Sequence, residues 1–307
     1  MQATLHRRAC GCLSTGRAFR PGLPSLGSPR AVQESERSSI LASPPRGTIL
    51  KALLGGLILT AGFASSKNTR PVMAAAGSDI EKVLENPKWP AEPPYKAEDF
   101  QRFDESPDTF FYSQPRFVTH IDDGAIGALQ QYYQKALPPS GNESAAVLDL
   151  CSSWISHYPE NYKLGRVAGM GMNAAELKKN KVLTDFEIQD LNKNSKLPYE
   201  DNTFDVITNA VSVDYLSRPI EVFQEMHRVL KPGGLAAMSF SNRCFPTKAI
   251  AIWTATGDPD HVWLVGSYYH YSVPGGWTEP KALDISPRKG IFGGGDPMYV
   301  VYAHKQA

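Results

Sequence analysis

Cysteine is scarce in this chain, with four in 307 residues. Two of them, Cys10 and Cys12, sit near the start, so the rest of the chain keeps only Cys151 and Cys244, 93 positions apart. Zinc sites are built from closely spaced thiol and imidazole pairs. The histidines at 120, 157, 227, 261, 270 and 304 are just as scattered, with no HxH or HExxH among them. No metal site is therefore expected. No GxGxxG follows a strand-like run, which argues against a dinucleotide-binding dehydrogenase. An apolar run of about 20 residues, enough for a membrane span, is missing as well. Ala52–Ala64, ALLGGLILTAGFA, reaches only thirteen. No internal repeat is found.

Lysine is absent from residues 1–48, and acids are nearly so. Residues 1–76 hold ten of the 32 basic residues and two of the 31 acids, Glu34 and Glu36, leaving 22 against 29, a net of −7, in the remainder. An acidic body argues against a nucleic-acid partner, because phosphate neutralisation needs clustered Lys and Arg. The Arg- and Ser-rich leader has the composition of an organellar transit peptide. The apolar run after Lys51 suits the core of a secretory-type signal, and Ala74-Ala75-Ala76 offers small residues for a peptidase. In series they resemble the two-part address of plant and algal thylakoid-lumen proteins. The expectation is a cleaved region 1–76 and a chloroplast location, in the lumen. A single-pass anchor and a stromal destination remain alternatives. Peripheral contact with the thylakoid membrane is the one membrane expectation, and the oligomeric state is not readable.

Residues 77–144 read as an N-terminal extension. A short helix over Ser78–Leu84 gives way to Pro87, Pro90, Pro93 and Pro94, which keep the chain extended. Phe110, Phe111 and Tyr112 follow, then a helix over Gly124–Ala136. This aromatic content is not that of a disordered linker.

The most informative stretch is Leu197–Ser241. Phe204–Val211 is an apolar, β-branched run suited to a buried parallel strand. Ser217 is a good N-cap ahead of Pro219 and Glu221. Val222, Met226 and Val229, beside Phe223 and Leu230, form one apolar helix face. Lys231-Pro232-Gly233-Gly234 then reads as a helix stop, with the next strand over Leu235–Phe240. Farther on, Asp258 with Pro259 begins a helix running to about Tyr269. Lys281–Ile285 and Tyr299–Ala303 read as two strands.

LPYEDNTFDVI (197–207) and HRVLKPGGLAAMSF (227–240) resemble the wording of the class I S-adenosylmethionine-dependent methyltransferases, in particular the type 11 group. The resemblance covers about 145–305 and implies an α/β, Rossmann-like sheet, mostly parallel with an antiparallel C-terminal hairpin, in a domain over 145–307. It also implies S-adenosylmethionine as cofactor and a small-molecule substrate. Val147-Leu148-Asp149-Leu150 stands where the family has its first strand. The glycine positions that follow are filled by Cys151, Ser153 and Ile155, with Ser152 between them. The family's ribose-binding acid falls on Gly171, with Asn173 able to take over one such bond. Asp190-Leu191 matches the adenine-binding position, and Asn209 ends the central strand. These are the expected cofactor residues.

By the same resemblance the extension would close over the substrate, making Arg116, His120, Asp122 and Asp123 candidates for a lid. Tyr215, Trp154 and Asn242 lie at strand ends facing the cleft. Tyr112, His120 or His261 could act as a base, none singled out by sequence. Two function classes stand: a methyltransferase with a divergent cofactor loop, and a methyltransferase fold kept as a non-catalytic binding or assembly protein of the plastid. Cys151 is expected as a small packing residue, without a bridge to Cys244.

Overall fold

The computed structural model describes residues 79–287 and 295–307, all within one compact unit (70–307). The proposed leader, the apolar run and the Ala74–Ala76 site lie outside the described residues. Seven strands make one sheet: β1 (Asn142–Leu150), β2 (Leu164–Gly171), β3 (Asp185–Ile188), β4 (Phe204–Ala210), β5 (Leu230–Phe240), β6 (Lys281–Asp284) and β7 (Tyr299–His304). Their order is β3-β2-β1-β4-β5-β7-β6. The first five are parallel, and β7 runs antiparallel to both β5 and β6. This is the Rossmann-like methyltransferase sheet expected from the sequence. Strand order reverses between β1 and β4, so their carboxyl ends open a crevice where ligands of open α/β sheets sit.

Among the described residues seven α-helices accompany the sheet: α1 (Asp79–Lys82), α2 (Asp108–Phe111), α3 (Asp123–Ala136), α4 (Ala174–Lys179), α5 (Pro219–Val229), α6 (Ala251–Ala255) and α7 (Asp258–Ser272). The central strands are buried on both faces, which explains their unbroken apolar runs. On one face Leu148, Leu150, Ile207 and Met238 meet Val222, Phe223, Met226 and Val229 of α5 and Tyr268 and Tyr269 of α7. On the other, Val147, Val167 and Val206 meet Ala125, Leu129 and Tyr133 of α3. Each such large side chain, fully withdrawn from water, stabilises by about 1.5–3 kcal/mol.

Local details depart from the sequence reading. Ser217 does not cap α5. Arg218 occupies that position without a side-chain bond, and Pro219, pre-set in φ, starts the helix. The helix stops at Val229, one residue before the strand begins, so Lys231–Gly234 belong to β5 itself. Gly233 there takes φ +77°, and the β4–β5 register shifts between Phe204 and Val206. The β1–β2 crossover, residues 151–163, contains no helix; Tyr158 and Tyr162 fill the space instead, in edge-on contact with Tyr133 and with each other.

The extension wraps α7. Trp89 stacks on His270 at 5.0 Å and lies 5.3 Å from Trp263, while Tyr95 bonds Ser267. No described helix is long and apolar enough to cross a membrane.

Candidate functional site

A cavity of about 320 Å³ opens beyond the carboxyl ends of β1, β2 and β4, roofed by residues 108–120 of the extension. That lies within the range of small-ligand pockets. Of the expected cofactor residues, Asp149, Cys151, Ser152, Ser153, Gly171, Asn173, Asp190 and Leu191 all line it. Arg116, His120, Trp154, Tyr112 and Tyr215 do so too. Asn209 and Asn242 are not among the lining residues. Asn209 is fully buried behind the wall, where its Nδ2 donates to Leu150 O at 3.0 Å, and Asn242 faces outward on the loop after β5. His261 is also away from it, stacked on Trp253 at 3.9 Å. Asp122 caps α3 at Ala125 N and receives Asp296 N.

The turn after β1 shows how a glycine-rich loop was replaced. Cys151 takes φ +58°, the left-handed conformation a glycine would adopt readily. Ser152 and Ser156 then donate to Asp149 Oδ2 at 2.5 and 2.7 Å, fastening the turn onto its own strand. Desolvation pushes Asp149 up to about 6, these hydroxyls and Thr208 opposing the shift. Ser152 and Ser153 are thereby both bonded to protein carboxylates, Ser153 donating to Glu176 Oε2 at 2.6 Å.

The two sequence departures are one structural event. Ser152 N donates to Met170 O at 2.6 Å, which lays the turn across the end of β2. A Cβ on residue 171 would come within 2.2 Å of Ser152 O. Gly171 is thus required by the altered turn, and no side chain fits where the family carries its acid. Asn173 cannot fill in, because its Oδ1 caps α4 at Ala175 N and Glu176 N and its Nδ2 donates to Tyr112 O at 2.9 Å.

Glu176 is the residue that sequence reasoning missed. It lies in the first turn of α4, only 7% exposed, and lines the cavity. Its Oε1 accepts Arg116 N at 2.6 Å, tying the roof to the cofactor side. A carboxylate has about four acceptor sites, so two remain for ligand hydroxyls. The available signal was a lone acid among apolar residues one turn after the strand. Asp190, at the end of β3, bonds Asn192 N at 3.0 Å and faces Lys193 Nζ at 3.8 Å.

The roof is held at both ends. Asp108, 5% exposed, receives two 2.7 Å bonds from Arg102 and one of 3.0 Å from Asn192, with Lys248 Nζ at 3.3 Å. Trp154 Nε1 donates to Val118 O at 2.9 Å. Tyr215 Oη accepts Phe245 N at 2.8 Å. Desolvation lowers His120 below the usual imidazole range, so its ring is neutral near pH 7 and able to accept a proton. Burial raises Tyr112, which disfavours it as a base at neutral pH. Cys151 and Cys244 both line the cavity as free thiols. Among the described residues, no group of three or more His, Cys, Asp or Glu could hold a metal ion.

These residues fit an adenosyl sulfonium in part. Glu176 and Asp190 supply acceptors for hydroxyl and amino groups, and Trp154, Tyr112 and Tyr215 supply aromatic faces for a sulfonium. The closed turn and the missing helix after β1 withhold backbone donors such a ligand would otherwise find.

Comparison with known proteins finds likenesses to methyltransferases. A stretch of 46 residues, 15% of this chain and 18% of the relative, is 50% identical to the ubiquinone/menaquinone biosynthesis C-methyltransferase UbiE of a Ruegeria species. Another of 67 residues, 22% of this chain and 25% of the relative, is 25% identical to a malonyl acyl-carrier-protein O-methyltransferase of a Marinomonas species. The matches therefore span a quarter or less of these relatives. A solved S-adenosylmethionine dependent methyltransferase from Mesorhizobium loti shares 17% identity at a TM-score of 0.40, over 58% of this chain and 98% of its own. Residues 150–238, from the end of β1 into β5, match the family described as methyltransferase domain, and this stretch supplies most of the cavity lining.

Proposed function

We propose that the chain is an S-adenosylmethionine-dependent methyltransferase acting on a small molecule, after import into a plastid. The observation that carries this reading is the cavity at the β1–β4 reversal, placed inside the methyltransferase-domain match and lined by Glu176, Asp190, Trp154 and Tyr215. The cofactor would bring an electrophilic methyl on a sulfonium. The protein's share is to bind, align and exclude water. Glu176 and Asp190 hold polar hydroxyl and amino groups, and the roof over 108–120 shields the site. His120, neutral and at the cavity wall, is the group placed to accept a proton from an acceptor hydroxyl.

Calorimetric titration with S-adenosylmethionine and S-adenosylhomocysteine tests it. Saturable binding is expected, weakened about 10- to 100-fold by Glu176→Gln, the scale of a hydrogen bond to a charged group. Absence of any response at millimolar cofactor would favour the second reading, a non-catalytic binding or assembly protein. The specific observation on that side is the β1 turn, whose serines are spent on Asp149 and Glu176.

The plastid part rests on the basic, lysine-free leader, the thirteen-residue apolar run and Ala74–Ala76. N-terminal sequencing of the native protein should find a start near Gly77. A start before Leu53 would mean the apolar run is retained as an anchor.

A further inference from the structure

The cavity's two arginines are treated differently by the fold. Arg243 pairs with Asp296 at 3.1 Å. Arg116 has no carboxylate or hydrogen-bond partner for its guanidinium among the described residues. Instead it lies 4.3 Å over the Phe111 ring, 5.6 Å from Phe245 and 6.0 Å from Tyr112. Its position is nevertheless fixed, because its backbone N–H is bound to Glu176 at 2.6 Å. Stacked faces leave the edge of a guanidinium, with its fork of donors, as the part free to bind. The acids lining the same cavity are engaged elsewhere: Asp108 with Arg102 and Lys248, Asp149 with two serines, Glu176 with Ser153 and Asp190 with Asn192.

The surroundings specify the rest of the ligand. Phe245 is the hub of an aromatic wall, with Phe111 at 5.2 Å, His120 at 5.3 Å and Tyr215 at 6.1 Å. This wall belongs to the extension and to the loops after β4 and β5.

We propose that the methyl acceptor is a planar organic acid, its oxyanion held at the edge of Arg116 and its unsaturated body laid on the Phe245 wall. This rests on the methyltransferase reading above and adds the substrate class to it. A bidentate guanidinium–carboxylate pair in a partly dry site is among the stronger and more directional of polar contacts. It would fix the acceptor's orientation relative to His120 and Tyr215.

The test uses the full chain saturated with S-adenosylhomocysteine, and three probes of one shape: 4-hydroxybenzoate, phenyl phosphate and 4-hydroxybenzamide, titrated by calorimetry. At least one anion should bind about tenfold or more tighter than the neutral amide, and the better anion identifies the head group. Arg116→Met, which keeps length and apolar contact, should bring that ratio to about one, and Arg116→Lys should restore it only in part. Equal binding of acid and amide by the wild type, no binding of any probe, or a ratio that survives Arg116→Met would overturn the proposal. Loss of S-adenosylhomocysteine binding by the wild type would instead strike the methyltransferase reading, and the two failures are thereby separate.

Discussion

Two buried acids, one of them lining the cavity, give the molecule a definite pH signature. Asp214 is 2% exposed, its Oδ2 has no hydrogen-bond partner, and burial pushes its pKa up to about 8 from 3.8. Asp149 shifts the same way, to about 6. In both, the folded state holds its proton to higher pH than the unfolded chain does. The stability each contributes is therefore present below about pH 4 and is lost as pH rises to the folded pKa. Above pH 6 Asp214 contributes a falling slope of up to about 1.4 kcal/mol per pH unit, opposed up to about pH 7 by His120, His157, His227 and His261, whose pKa burial lowers. Asp214→Asn should remove that falling component and flatten the stability curve between about pH 7 and 8, whatever constant offset its amide introduces. Urea melts of both proteins across that interval check this, and parallel curves would count against it. Gly171 makes the complementary residue-scale point. An acid there would place a Cβ 2.2 Å from Ser152 O, so no acidic side chain is accommodated at that position. From α4, Glu176 brings an acid to the same cavity.

At the scale of elements, the roof depends on one ionic clamp. Asp108 at the start of α2 faces Arg102 and Lys248, whose side chains are 8% and 1% exposed. Removing one member of a buried charge cluster leaves the others uncompensated, at about 3–5 kcal/mol. Asp108→Asn should lower stability on that scale and open residues 101–121 to limited proteolysis; Asp104, 3.2 Å from Lys248, can only partly compensate. A variant as protease-resistant as the wild type would show the roof is held mainly by Glu176 and Trp154. This clamp joins residues 102, 108, 192 and 248, which no local pattern connects, and so it was not legible in the sequence. Strands were legible, because a buried parallel strand writes itself as an apolar run, as at Phe204–Ala210. Helix boundaries were less so. Ser217 looked like a cap and Gly233 like a stop, but the chain enters β5 directly at Leu230, where pairing with Phe204 replaces any cap. In the site, Asp149, Asp190 and the altered turn were visible by position. Glu176 and the consequence for Gly171 were not, since both follow from where the turn's backbone lies.

The molecule as a whole is a methyltransferase-type sheet whose extension does two different jobs. Residues 101–121 cover the cavity, while 79–100 cover α7, a helix buried on nearly every side. Leu84 and Trp89 pack against Gly266, where a Cβ would come within 2.8 Å of Leu84. Tyr95 and Phe100 lie against the fully buried Tyr268. This accounts for the weak amphipathic pattern of α7: its outer side faces protein, so apolar and aromatic residues occur all round it. A chain that starts near Gly77 would keep this cover. A body starting at Gly77 should therefore melt within a few degrees of the full chain. A body starting at Gln101 strips Leu84, Trp89 and Tyr95 from α7 and exposes large aromatic surface, each such side chain carrying about 1.5–3 kcal/mol of burial. It should lose cooperative unfolding or melt far lower, and bind a hydrophobic dye such as ANS while the longer body does not. Calorimetric melts with dye titration compare the two directly. If the shorter body unfolds as cooperatively and at nearly the same temperature, residues 79–100 are dispensable decoration and the boundary of the folded domain belongs near the roof instead.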